Sequence, residues 1–230
     1  MREGALDTHI FTINPDGSGL DKISTRPFGD SDPAWSPDGK NIAFVRQRGE
    51  KGPNTVYRQS CIYKIKVDGT GLNRLTGTKR FAHDPAWSPY GKKIAFSQVV
   101  RRPGPVEIFE MNATDGSQKR NLTNTPLQES EPDWYPDGKK IAYTSFTEVH
   151  GAHDRVFTMN ADGSDQTNLT KLKDGFSPAW LPNGKKIAFV RVYPTFPNLD
   201  IFVMKDDGTE VKRLTKTRDF DGSPDWQPLP

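Results

Sequence analysis

The residues of this sequence whose chemistry invites attention are four histidines, one cysteine and a set of carboxylates in matching settings. His150 and His153 stand three apart, a spacing that can set two imidazoles on one metal ion, but no third ligand lies near them in sequence and His9 and His83 are far away. Cys61 is the single cysteine, so the chain has no internal disulfide, and it reads as a small apolar side chain in a strand. A serine hydrolase would carry Gly-x-Ser-x-Gly at a strand-to-helix elbow, and the chain holds no such run. Asp32, Asp84 and Glu131 each stand one residue ahead of a Pro-x-Trp triplet, with Ser177 and Ser223 at the same place in two further copies. Three such carboxylates could hold a hard cation such as calcium, or accept hydrogen bonds from nearby loop N–H groups. This inventory points to a non-catalytic protein with no catalytic residues and no resident metal.

The elements that position these residues follow from a repeat. Asp32-Pro-Ala-Trp-Ser-Pro-Asp-Gly-Lys-Asn-Ile-Ala-Phe44 returns with few changes at 84–96, 131–143 and 177–189, and its first half returns at 223–228. The five tryptophans, Trp35, Trp87, Trp134, Trp180 and Trp226, mark the copies, which are about 46 to 52 residues apart. Between them recurs an apolar strand closed by a glycine turn, as in Ile10-Phe-Thr-Ile-Asn-Pro-Asp-Gly17 and Val156-Phe-Thr-Met-Asn-Ala-Asp-Gly163, followed by a short strand such as Asn73-Arg-Leu-Thr76. Each copy thus predicts four strands: A around Trp, B at Ile-Ala-Phe, C at Ile-Phe-x-Met and D at x-x-Leu-Thr. Pro-Asp-Gly between A and B supplies a fixed φ and then a residue tolerant of positive φ. Asp-Gly between C and D is a strong hairpin signal. Four strands in about 46 residues is one blade of a β-propeller, so the expected fold is all-β, about five four-stranded blades in a single domain spanning 1–230. No stretch shows helical periodicity.

Bulk properties agree with that reading. Hydrophobic residues make up 33% of 230 residues and mean hydropathy is −0.74, too little for one thick core but enough for thin sheets that share cores. The net charge of +3 leaves no basic footprint for nucleic acid. No apolar run approaches the ~20 residues of a membrane span, and Met1–Asp7 lacks the apolar stretch of a signal peptide.

The run Pro-x-Trp-Ser-Pro-Asp-Gly-Lys-x-Ile-Ala-Phe resembles the TolB-type, WD-like β-propeller repeat, and the resemblance recurs five times over essentially the whole chain. It implies a propeller that binds a protein partner at its channel mouth, in a periplasmic or extracellular setting. The same look belongs to propellers that gate prolyl-oligopeptidase-family hydrolases and to some polysaccharide lyases, so the alternative is a propeller fragment or accessory domain of a larger enzyme of those kinds. The chain departs from TolB in having five repeats rather than six and no N-terminal α/β domain.

Within an antiparallel blade the A–B and C–D turns share one face, here called lower, and the B–C and D–A connections share the other. The lower turns are near-copies; the upper connections vary, and variable loops on a rigid repeat are where recognition sits. A large apolar residue precedes each Trp on the upper side: Phe28, Phe81, Leu127, Phe176 and Phe220, with Arg80 beside Phe81. These either wedge between blades or form an apolar collar that anchors a protein or peptide. In propellers of this type strand A is innermost, so Asp32, Asp84 and Glu131 are expected to ring the channel mouth. The first two B–C connections are read as basic loops, through Arg46, Arg48, Lys51, Arg58, Arg101 and Arg102, suited to solvent or to an acidic partner. The A-strand tryptophans Trp35, Trp87, Trp134 and Trp180 are expected to be buried between blades. The closing blade takes C and D from the beginning of the chain and A from its end, without a strand B; this predicts either a longer parent chain or a slot about 9.6 Å wide, open to strand exchange, self-association or an added peptide strand.

Overall fold

The computed structural model describes residues 8–25, 29–52, 55–78, 80–101, 103–147, 153–171, 173–193, 198–217 and 219–226. Among them there is no helix. A two-stranded sheet pairs β1 (Phe11–Thr12) with β2 (Asp21–Lys22). Four four-stranded antiparallel sheets follow in chain order. The first comprises β3 (Asp30–Trp35), β4 (Asn41–Gly52), β5 (Thr55–Lys66) and β6 (Asn73–Arg74). The second comprises β7 (Ala82–Trp87), β8 (Lys93–Val99), β9 (Val106–Asn112) and β10 (Arg120–Asn121). The third comprises β11 (Gln128–Trp134), β12 (Lys140–Thr147), β13 (His153–Asn160) and β14 (Thr167–Asn168), and the fourth β15 (Phe176–Trp180), β16 (Lys186–Tyr193), β17 (Asn198–Lys205) and β18 (Lys212–Arg213). These are the A-B-C-D blades of the repeat, in that order. The A strands of successive blades pack on one another, β3 on β7 and β7 on β11 and β11 on β15, which puts strand A on the inner side.

Local chemistry explains each turn. In the C–D turns Asp16, Asp68, Asp115, Asp162 and Asp207 accept the N–H of the Ser or Thr two residues on, at 2.8–3.0 Å. The bonds from that hydroxyl and N–H hold all five carboxyls below the usual range. This is why the turn reads Asp-Gly-Ser/Thr: the carboxylate mimics a backbone turn and Gly takes the positive φ. Strand A is not a plain strand. Its register against B slips between Ser31 and Ala34, His83 and Ala86, Ser130 and Asp133, and Phe176 and Ala179. One extra residue is accommodated there as a β-bulge, and Pro sits in it because a bulge tolerates the missing N–H.

The core lies between blades. The forward face of one blade offers Ala from B, Ile or Val from C and Leu from D. The backward face of the next offers Ile and Phe from B and Phe and Met from C. Thus Ala142, Val156 and Leu169 pack on Ile187, Phe189, Phe202 and Met204, with Trp180 inserted among them. The two preceding interfaces repeat the pattern, and Ile10 and Ile23 of the β1–β2 unit cover Ile42, Phe44 and Tyr63 of the first blade. The Ile-Ala-Phe motif is therefore an alternation between two cores, with small Ala making room for the next blade's Trp. The C–D glycines approach the previous blade closely: a Cβ on Gly116, Gly163 or Gly208 would run into the carbonyl of Leu75, Leu122 or Leu169.

The expectation of four buried tryptophans is corrected. Trp134 and Trp180 are 7% and 5% exposed, but Trp87 is only half-buried and Trp35 is 53% exposed. Trp87 and Trp226 lean backward onto the preceding A strand, where Trp87 Nε1 donates to the Ala34 carbonyl at 3.1 Å and Trp226 Nε1 to that of Ala179 at 3.0 Å, while Trp134 and Trp180 insert into the core shared with the preceding blade. Ahead of Trp35 the described residues place only the β1–β2 hairpin, which covers β4 and β5 and not the indole. The final stretch to Trp226 docks by its indole on the fourth blade but pairs with no described strand.

Candidate functional site

The bulge puts Asp32, Asp84, Glu131 and Ser177 in the left-handed region, and Ser223 takes the same conformation without a paired strand, all at φ between 49° and 55°. That turn swings their side chains off the strand pleat, and two of the carboxylates tie blades together. Asp84 accepts the Ser97 hydroxyl at 2.7 Å and the N–H of Glu131 on the next blade at 3.3 Å. Glu131 accepts the Thr144 hydroxyl at 2.8 Å, and across to the fourth blade the N–H and hydroxyl of Ser177 at 2.9 and 2.7 Å. Asp84, through Oδ2, and Glu131, through both oxygens, thus accept from donors on their own blade and on the next. Asp32 is exposed at the first blade. Among the described residues no group of three or more His, Cys, Asp or Glu is placed to hold a metal ion. His153 pairs with Asp174 at 2.5 Å, His83 hydrogen-bonds Ser60 at 2.9 Å, and His150 lies outside the described residues.

Sequence reasoning missed Asp133, two residues beyond Glu131. It is solvent-reachable at its edge yet surrounded by protein, and its Oδ2 accepts the Trp180 N–H at 2.6 Å. Burial pushes its carboxyl up to about 7, opposed by the Trp180 N–H and reinforced by the charge of Asp225.

The apolar residues of the upper side do not share one environment. Phe220 is 70% exposed. Phe81 is half-buried and stacks on His83 at 6.5 Å, with Arg80 exposed beside it. Leu127 is half-buried in a turn capped by the Thr125 hydroxyl, and Phe176 is half-buried at the start of β15, opposite Val190. Phe28 lies outside the described residues. Next to Leu127 the β8–β9 and β10–β11 connections enclose a cleft of about 630 Å³, lined by Val100, Arg101, Pro103, Pro105, Glu107 and Gln128. Gln128 holds its floor by accepting the Val106 N–H at 3.0 Å. The signal for this cleft was the Pro-Gly-Pro run at 103–105 facing Pro126.

The basic-loop reading needs correction in the first blade. There β4 and β5 pair through twelve residues each, so Arg48, Lys51 and Arg58 belong to a long hairpin and not to a loop. Arg46 is buried: it grips Asp30 with two bonds at 2.7 and 2.8 Å and lies over the Phe44 and Tyr63 rings. Arg101 lines the upper cleft, and Arg102 lies outside the described residues.

Antiparallel A-B-C-D blades, a bulged inner strand and cores shared between neighbours define a β-propeller of TolB-type blades. The chain belongs to the TolB beta propeller domain family, whose model matches residues 77–191, half of the chain. It is 35% identical over 82 residues to the Tol-Pal system protein TolB of Zymomonas mobilis, a match covering 35% of this chain and 16% of that protein. It is 30% identical over 124 residues to the uncharacterized peptidase YuxL of Bacillus subtilis, covering 42% of this chain and 19% of the peptidase. The matched segments therefore span under a fifth of the length of these relatives. Among solved structures, TolB from Acinetobacter baumannii superposes with a TM-score of 0.73 at 23% identity, covering 92% of this chain and 50% of that one. A Mycobacterium tuberculosis puromycin-hydrolyzing peptidase superposes at 0.69 with 17% identity, covering 95% and 37%. These likenesses support the fold.

Proposed function

We propose that this chain works as one propeller domain over residues 1–230 that binds a protein or peptide partner through its upper face. The observation that carries the reading is the cleft beside Leu127, built from two connections that differ from their counterparts in other blades. Exposed Arg80 and Phe220 and half-buried Phe81 extend the same face. Family membership and the TolB relatives support a protein partner. Asp84 and Glu131 then serve as mouth residues that fix blade spacing, with exposed Asp32 as a third mouth carboxylate, and Phe176 and Leu127 serve as the apolar border, to which the sequence adds Phe28.

The test is photo-crosslinking in the source cells, with a crosslinking residue at Arg80, Leu127 or Phe220 on the upper face and at Asp137 or Lys139 in a lower turn. Upper-face adducts of one discrete mass are expected. Adducts confined to the lower positions would refute the assignment. The second reading, a propeller portion of a larger peptidase, draws on the peptidase relatives; an adduct formed with a catalytic domain of the same polypeptide would select it.

A further inference from the structure

The lower-face turns are near-copies, so a copy that departs carries information. In three of the four A–B turns the residue before Gly caps the turn: Asp38, Asp137 and Asn183 accept the N–H two residues on at 3.1, 2.8 and 3.0 Å. The second blade has Tyr90 at that place, which forfeits the cap and leaves its ring 70% exposed. Four of the five C–D turns close with the Gly N–H bonded three residues back, as Gly163 to Asn160. In the second blade the turn is one residue longer, Gly116 reaches back four residues to Asn112, and the turn gains Thr114.

Both departures line the same cavity, about 470 Å³ between the first and second blades, together with Asp38, Asn41, Lys64 and Trp87. The lengthened turn fixes a charge there: Lys64 Nζ donates to the carbonyls of Ala113 at 2.7 Å and Thr114 at 2.9 Å. The cavity adjoins half-buried Trp87. Two blades on, Tyr135 sets its ring edge-on against Trp180 at 4.8 Å; the corresponding residue beside Trp87 is Ser36, which has no ring to lay there.

The chemistry of the lining selects a ligand. Trp87 and Tyr90 bring aromatic rings to the lining, Tyr90 with its Cδ2–Cε2 edge beside Gly138 of the third blade. Lys64 donates, the Asn41 amide does both, and Asp38, whose Oδ1 holds the Ser36 hydroxyl and the Lys40 N–H, keeps Oδ2 as an acceptor. A proline-rich strand would suit the rings but brings carbonyl acceptors with few N–H donors, leaving acceptors of the site unpaired at a cost. Sugar hydroxyls donate and accept at once. We propose that this lower-face cavity binds a neutral hexopyranose unit, with its C–H face on an aromatic ring and its hydroxyls on Lys64, Asp38 and Asn41, independently of the upper face.

The experiment titrates the full chain with cellobiose, maltose and N,N′-diacetylchitobiose, and with a deca-proline peptide, and reads saturation-transfer NMR. Tyr90→Asp restores the cap the other turns use, and Ser36→Tyr supplies the ring that Tyr135 provides elsewhere while giving up the Ser36 hydroxyl bonds to Asp38 and the Asn41 N–H; an unchanged circular dichroism spectrum and melting temperature qualify each variant for the titration. Saturable sugar binding with a dissociation constant of about 1 mM, weakened at least about tenfold by either variant and unchanged in Phe220→Ala, is the expected result. No saturable sugar signal up to about 20 mM, a signal indifferent to both variants, or Tyr90-dependent binding of deca-proline alone would each overturn the proposal.

Discussion

Asp133 is the residue whose protonation the fold controls most visibly. An ordinary unfolded Asp titrates near 3.9, and burial holds this one at about 7 in the native state. The native state keeps the proton more tightly, so the favourable contribution is complete below about pH 4 and disappears as pH rises through 7. The turn aspartates have the opposite sign: their carboxyls are depressed, and their contribution fades only as pH falls below the usual carboxylate range. Asp133→Asn keeps an acceptor for the Trp180 N–H. It is expected to remove a stability loss of up to about 4 kcal/mol between pH 4 and 7 while leaving the acid limb alone; melting temperature against pH for the two proteins checks this. The tryptophans make a second residue-scale contrast. Trp180→Ala deletes a buried indole held against Tyr135 and should cost about 3–5 kcal/mol in urea unfolding, whereas Trp35→Ala, at an exposed indole, should cost under about 1 kcal/mol.

Among the elements, the turns separate local from inter-blade requirements. Gly39 and Gly163 both have positive φ, at 66° and 91°, but a Cβ on Gly39 meets nothing and one on Gly163 strikes the Leu122 carbonyl. Gly39→Ala should cost about 1 kcal/mol from backbone strain; Gly163→Ala should cost clearly more because a neighbouring blade must also shift, and equal losses in denaturant titrations would contradict the blade-contact account. The same division governs what the sequence could disclose. Strand order and turn positions were legible, because period-two alternation and Pro-Asp-Gly or Asp-Gly signals are local; the inner place of strand A came from the resemblance to the TolB-type repeat. The bulge before each Pro was not, although Pro inside a strand pattern was its available sign. Arg46 read as loop charge because nothing local announces that Asp30 will meet it across β3 and β4. Exposure of Trp35 was hidden for a different reason: burial of a repeat's Trp depends on the blade before it, which no single copy records. For the candidate site, the repeat singles out the carboxylate ahead of each Pro, while the partners of Asp84 and Glu131, on the next blade, came only with the fold.

For the whole molecule, the contacts that matter join each blade to the one before it: Trp to the previous A strand, C–D glycine to the previous Leu carbonyl, mouth carboxylate to the following N–H. Hydrogen exchange should follow this order. Amides of β9 and β12, with partners on both sides, should be the slowest, while β1, β2 and residues 223–226 should exchange well ahead of them, since the hairpin pairs only with itself and the final stretch with no described strand. Protection of 223–226 equal to that of β7 and β11 would mean that a further strand closes on it. Such wiring behaves as a one-dimensional chain of like couplings. Melting should fray inward from the termini, and an added or lost copy would change the number of links without altering the kind of link. Because the second and third blades each carry both a Trp packed on the blade before and an Ala packed against the blade after, duplicating one such copy duplicates a complete interface, which gives this architecture a route to new blade numbers that needs no compensating change elsewhere.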